Sequence, residues 1–126
     1  MGQMVTRFRD LDVYRAAFEL QQLIFKVTKG WPSEERYSLT DQVRLSSRSI
    51  GASIAEAWSK RRYPAHFLSK LTDADAELQE TFHWLDTAHA CDYLPQDTHS
   101  NLIARSEAVG RQLGSMISNY QSFCTH

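Results

Sequence analysis

The sequence predicts an all-α fold, an antiparallel up-down-up-down four-helix bundle, and three observations predict it. Apolar residues recur at spacings of three and four along four separate stretches. Nowhere does the strict alternation of a strand appear between hairpin turns. The connections between the four stretches are short, which makes consecutive helices antiparallel neighbours. A chain of 126 residues, 42% hydrophobic and 23% charged, suits one domain with one core. The expected organisation is a tail over residues 1–9 and a bundle over 10–124, with helices at about 10–28, 38–61, 64–92 and 98–124.

The first helix carries Val13, Ala17, Leu20, Ile24 and Val27 on one line, with Tyr14, Phe18 and Phe25 beside it. A stripe that wide predicts contacts beyond one neighbouring helix. Gly30 is placed to end this helix in a left-handed conformation, and Pro32 cannot continue it. The second helix is expected to begin at Ser38, with its hydroxyl and Asp41 as reciprocal caps. Leu39, Val43, Ile50, Ile54 and Ala57 form its apolar line. Among them runs a set of small residues from Ser46 to Ala55, poor for helix propensity but suited to close approach of another backbone.

Pro64 fits the first turn of the third helix, where its missing N–H is no loss. Phe67, Leu71, Ala74, Leu78, Phe82, Leu85 and Ala88 then hold the spacing, and Leu94-Pro95 closes it. The fourth helix starts at Asp97 or Ser100 and presents Leu102, Ser106, Val109, Leu113, Met116, Ile117, Tyr120 and Phe123. Gly110 and Gly114 form a small-xxx-small pair, read here as close packing within the bundle.

No apolar run reaches the roughly 18 to 20 residues of a membrane span, and no signal peptide opens the chain, so a cytoplasmic protein without membrane contact is expected. Met1-Gly2-Gln3-Met4-Val5-Thr6 satisfies the short acylation pattern for Gly2, which we read as an accidental match in a tail. Cys91 and Cys124 lie near the ends of two helices, where they could come close; free thiols are expected in a reducing compartment. The net charge of −1 hides a segregation. From Arg36 to Lys70 seven basic residues face only Asp41 and Glu56, whereas all seven charges from Leu71 to Ser100 are acidic. Opposed helices of this kind suit contacts within a bundle or between subunits.

Glu80-Thr81-Phe82-His83 matches one half of a di-metal carboxylate motif, but no second Glu-x-x-His exists, so neither metal nor other cofactor is expected. The serines lack a neighbouring His or a Gly-rich elbow, and no catalytic residue is assigned. Glu56 and Glu77 sit beside apolar core positions and call for ion-pair partners, with Arg44 or Arg48 as candidates within the chain or across a subunit boundary. Lys60-Arg61-Arg62-Tyr63, just after Trp58, complements the dipole at the end of the second helix. The same residues suit phosphate binding, with Trp58 or Tyr63 as a stacking surface. A single copy of so small a group binds weakly, and a ring of copies multiplies it.

Pro32-Ser33-Glu34-Glu35-Arg36-Tyr37-Ser38-Leu39-Thr40-Asp41-Gln42, then Arg44, Ser49-Ile50, Ile54-Ala55-Glu56, Arg61-Arg62-Tyr63 and Ala76-Glu77-Leu78, carry a family resemblance. Over about Leu11 to Tyr120 the chain resembles the 23S rRNA-intervening-sequence proteins, or S23 proteins, to which the accessory protein of diversity-generating retroelements is also similar. The resemblance implies a bacterial bundle that assembles into a ring-like homopentamer, and it implies no reaction. The first expectation is therefore a non-enzymatic oligomeric scaffold that binds RNA, DNA or a nucleoprotein through Arg44, Arg48, Lys60, Arg61 and Arg62. The alternatives are a protein-binding adaptor without nucleic-acid contact and, third, a metal-dependent enzyme using Glu80 and His83.

Overall fold

In the computed structural model, which describes residues 5–125, the four periodic stretches become α1 (Asp12–Thr28), α2 (Asp41–Ser59), α3 (Pro64–Ala90) and α4 (Gln96–Ser118). They form an antiparallel up-down-up-down bundle in which α1 and α3 each pack against both α2 and α4. No strand occurs among the described residues. Among the described residues no helix is long and apolar enough to cross a membrane. Gly2, the target of the acylation pattern, lies outside the described residues.

The three-four spacing works because it stacks side chains on one face of each helix. Leu20 and Ile24 of α1, Ile50 and Ile54 of α2, Leu71, Leu78 and Leu85 of α3, and Leu113 of α4 are all fully enclosed. Each contributes on the order of 1.5–3 kcal/mol by leaving water. The most extensive helix contact is α2 with α3, and the small residues of α2 permit it. Ser46 and Ser47 are both buried, and Ser46 meets α3 at Thr81. Ser46 Oγ and Thr81 Oγ1 lie 2.9 Å apart and share a hydrogen bond, with Val43 O and Glu77 O as the backbone acceptors beside them. This buried pair turns Thr81 into the core and leaves Phe82, expected on the core stripe, only half-buried.

α3 and α4 approach closely at Gly110, where a Cβ would lie 3.3 Å from Leu78 Cδ2. Gly114 faces open space, so only the first member of the small-xxx-small pair serves packing.

Three helix ends differ from expectation. No described glycine has a positive φ, so Gly30 does not close α1 in a left-handed conformation. Short turns do so instead, with Lys29 N–H donating to Lys26 O and Trp31 N–H to Thr28 O. The left-handed residue is Asp92, at φ 64° after α3, where Tyr93 N–H reaches back to Ala88 O at 2.9 Å. Ser38 does not cap α2, because a π-helical turn over Arg36–Thr40 already runs into it. Its hydroxyl donates instead to Glu35 Oε1 at 2.6 Å.

The first and last described segments converge on the α2–α3 turn. Val5 and Phe8 pack against the core, and Thr6 O accepts from Trp58 Nε1–H at 3.3 Å. Beyond α4, Phe123 packs against Trp58 and Phe67, and Thr125 N–H donates to Arg61 O at 3.1 Å. Cys91 and Cys124 are free. The antiparallel order puts them at opposite ends of the bundle, separated by α4, whose 23 residues span about 35 Å.

Candidate functional site

The structure does not gather the five candidate basic residues into one patch. Arg44 and Arg48 lie near the start of α2, and Lys60, Arg61 and Arg62 follow its end. The sixteen-residue separation of Arg44 and Lys60 is about 24 Å of helix.

At the first end, Phe25 of α1 organises the charges. Its ring lies 4.8 Å from the Arg44 guanidinium carbon, 5.5 Å from that of Arg48 and 4.8 Å from Lys29 Nζ. Cations favour the negative face of an aromatic ring, and the ring gives them apolar cover in return. Arg44 is also pinned by hydrogen bonding: its Nε donates to the buried Thr28 Oγ1 at 2.8 Å, and Thr28 donates to Phe25 O at 2.9 Å. Beside this arrangement a cleft of about 470 Å³ opens, lined by Lys29, Arg36 and Arg44 together with Trp31 and Thr40. Lys29, Trp31 and Arg36 were not singled out by sequence reasoning. The available signal was a pair of cations bracketing a tryptophan in the short α1–α2 connection.

At the second end, Lys60 and Arg62 are exposed, and neither has an ion-pair partner among the described residues. Arg61 is different. Its guanidinium carbon lies 3.8 Å from the Trp58 ring centroid and its Nε donates to Trp58 O at 3.1 Å. Trp58 is therefore no stacking platform for a ligand: it is buried, with Arg61 over its ring, Phe123 at its edge and Thr6 on its N–H. Tyr63 keeps that role open, being 55% exposed with the His66 ring 5.7 Å away.

Glu56 finds its partner in Lys70 of α3, at 2.9 Å, and not in Arg44 or Arg48 of its own chain. Arg48 is two turns back, about 12 Å along the helix. The hydrogen bond and charge of Glu56 push the Lys70 amine up. Glu77 forms no ion pair among the described residues, and burial, then Glu80 and Asp73, raise its carboxyl above the usual range. Glu80 accepts from Trp84 Nε1–H at 3.1 Å, and His83 packs against the Trp84 ring. Among the described residues no group of three or more His, Cys, Asp or Glu is placed to hold a metal ion. His99 and Asp86 join α4 to α3 at 3.0 Å, with His89 stacked on His99, a contact between helices that no local spacing announces.

Residues 9–115 match the family described as 23S rRNA-intervening sequence protein. The crystal structure of a protein of unknown function from the S23 ribosomal protein family of Bacteroides thetaiotaomicron VPI-5482 is similar, with a TM-score of 0.76 and 27% sequence identity. The likeness covers 84% of this chain and 95% of that one. No curated protein matches the chain.

Proposed function

The chain belongs to the 23S rRNA-intervening sequence protein family, and from that premise we propose that it is a non-enzymatic cytoplasmic scaffold, a homo-oligomer binding nucleic acid or a nucleoprotein through Lys60, Arg61 and Arg62. One observation carries this reading: Lys60 and Arg62 stand exposed, with no ion-pair partner among the described residues, beside the exposed Tyr63. Free cations meet phosphates by releasing counterions, and an exposed phenol ring offers a base a stacking face. Two or three phosphate contacts hold weakly. The pentameric ring implied by the family resemblance would repeat them on one assembly, where avidity multiplies the affinity of each.

The test is RNA and DNA binding measured against salt concentration. Binding is expected at low salt, weakening as salt rises, with a shallower salt dependence once Lys60, Arg61 and Arg62 are all alanine. Negligible affinity at low salt, or affinity indifferent to those substitutions, ends the proposal.

A protein-binding adaptor is the second reading, and exposed apolar side chains favour it. Phe18 is 46% exposed, Leu45 64% and Tyr37 77%. Co-purified proteins that stay bound after nuclease treatment, and leave when Tyr37 and Leu45 become serine, would support this reading over the first.

A further inference from the structure

We propose that the cleft between the end of α1 and the start of α2 binds a phosphate monoester of nucleotide size. The inference is independent of the proposed interface at Lys60–Arg62, which lies at the other end of α2. Lys29, Arg36 and Arg44 all line the cleft, and none has a carboxylate partner within the described chain. The nearest acidic neighbour of Arg36 in sequence, Glu35, is turned away: it accepts from Ser38 and from the Tyr93 hydroxyl. Three like charges around one opening repel one another, and an anion among them removes that repulsion.

The opening is also built to hold such an anion in place. Thr28 fixes the Arg44 guanidinium through its Nε, which leaves the outer guanidinium nitrogens for a ligand. Two further residues of the lining carry polar atoms, Thr40 Oγ1 and Trp31 Nε1, that are buried without a hydrogen-bond partner among the described residues. Thr40 is only 7% exposed. Buried polar groups are nearly always satisfied, so two orphans in one basic cleft point to an absent acceptor. A phosphate matches the planar fork of arginine, and its oxygens are acceptors of the kind that both orphans lack. The volume of about 470 Å³ exceeds what a bare phosphate fills and lies in the range of small-molecule sites. Trp31 and Pro32 provide an apolar wall for the organic part of the ester.

The phosphate can belong to a free nucleotide or to the end of a nucleic-acid strand. Titration calorimetry of the full chain at low salt separates these, using a nucleoside 5′-monophosphate, the parent nucleoside, and a short oligonucleotide with or without its 5′-phosphate. The monophosphate is expected to bind at least about tenfold more tightly than the nucleoside, and Arg36→Gln and Arg44→Gln are each expected to weaken it by about tenfold. Thr40→Val should weaken it several-fold. Arg36 is exposed, so Arg36→Gln keeps the test valid even if Arg44→Gln disturbs the fold. Preference for the 5′-phosphorylated oligonucleotide assigns the site to a strand end; equal binding of the two oligonucleotides, with the monophosphate bound, assigns it to a free nucleotide. The proposal is overturned if the monophosphate gives no heat up to millimolar concentration, if the nucleoside binds as well, or if Arg36→Gln leaves affinity intact.

Discussion

The two ends of α2 carry the same kind of charge in opposite conditions. At its start, Arg44 is clamped between the Phe25 ring and the Thr28 hydroxyl, beside a cleft whose lining residues carry two buried polar atoms without a partner among the described residues. At its end, Lys60 and Arg62 stand in solvent, and only Arg61 is tied down, over Trp58. A clamped cation has its ordering entropy already spent in folding, so it suits a small ligand that must be held in one pose. A free cation follows whatever phosphate arrives, so it suits a long polyanion bound by many weak contacts. The same residue types therefore serve two different recognitions, and their surroundings separate them.

The comparison breaks first at Thr28. Its Oγ1 is the acceptor for Arg44 Nε, and the residue is only 2% exposed. Thr28→Val keeps the shape and removes the acceptor, leaving a half-buried charged donor without its partner. A loss of about 2 kcal/mol is expected, since hydrogen bonds to charged groups are worth roughly 1.5–3 kcal/mol. The urea midpoint should fall with the slope unchanged. A midpoint within experimental error of the wild type would mean that Arg44 is no more fixed than Lys60, and the contrast between the ends would collapse.

How much of this was legible in the sequence depends on distance along the chain. Helix number, order and buried faces follow from local periodicity, and Leu20, Ile24, Leu78 and Leu113 all lie where spacing puts them. The small-residue run in α2 correctly signals a close neighbour, but that the neighbour presents Thr81 to Ser46 is a contact across 35 residues that no local pattern encodes. Helix ends were less legible, because a glycine after the last turn permits a left-handed residue without requiring one: α1 closes before Gly30 through short turns, and α3 closes through the left-handed Asp92. The site suffered most. Clustering of Arg44, Arg48 and Lys60–Arg62 in sequence concealed that a helix holds its two ends apart, and Trp58, plausible as a surface platform, is covered by the first and last described segments.

Tyr93 sharpens the comparison at the cleft end through pH. Its hydroxyl donates to Glu35 Oε2 at 2.9 Å, and its ring packs 5.9 Å from Trp31, so it braces the connection that walls the cleft. That hydrogen bond, then burial, pushes the Tyr93 hydroxyl up to about 12 from its ordinary 10.0. Hydrogen bonds from Ser38 and then Tyr93 hold Glu35 below its ordinary 4.5. Because the phenol keeps its proton more firmly when folded, its contribution is complete below pH 10 and is lost as pH rises towards 12. The Glu35 contribution runs the other way, complete above its ordinary 4.5 and lost as pH falls through the lowered folded value. Tyr93→Phe should remove the alkaline loss belonging to this pair and reduce the acid loss to the part that Ser38 supplies. Urea midpoints measured from pH 3 to 12 check it, and an alkaline limb unchanged from wild type would show that the brace does not act.

The smallest effect is expected at the opposite end, and it separates binding from folding. Lys60 and Arg62 touch no described carboxylate, so replacing both with alanine should change stability by less than about 0.5 kcal/mol, as surface substitutions usually do. Arg61→Ala is different in kind, because it uncovers the Trp58 ring; a loss of about 1 kcal/mol is expected from that stacked cation. Comparing the double variant with Arg61→Ala by urea denaturation, and both by phosphate-backbone binding at low salt, divides the corner into a structural residue and two free ones. If the double variant destabilises as much as Arg61→Ala, Lys60 and Arg62 are caps for the α2 terminus, and the positive charge at this corner belongs to the helix dipole and not to a ligand.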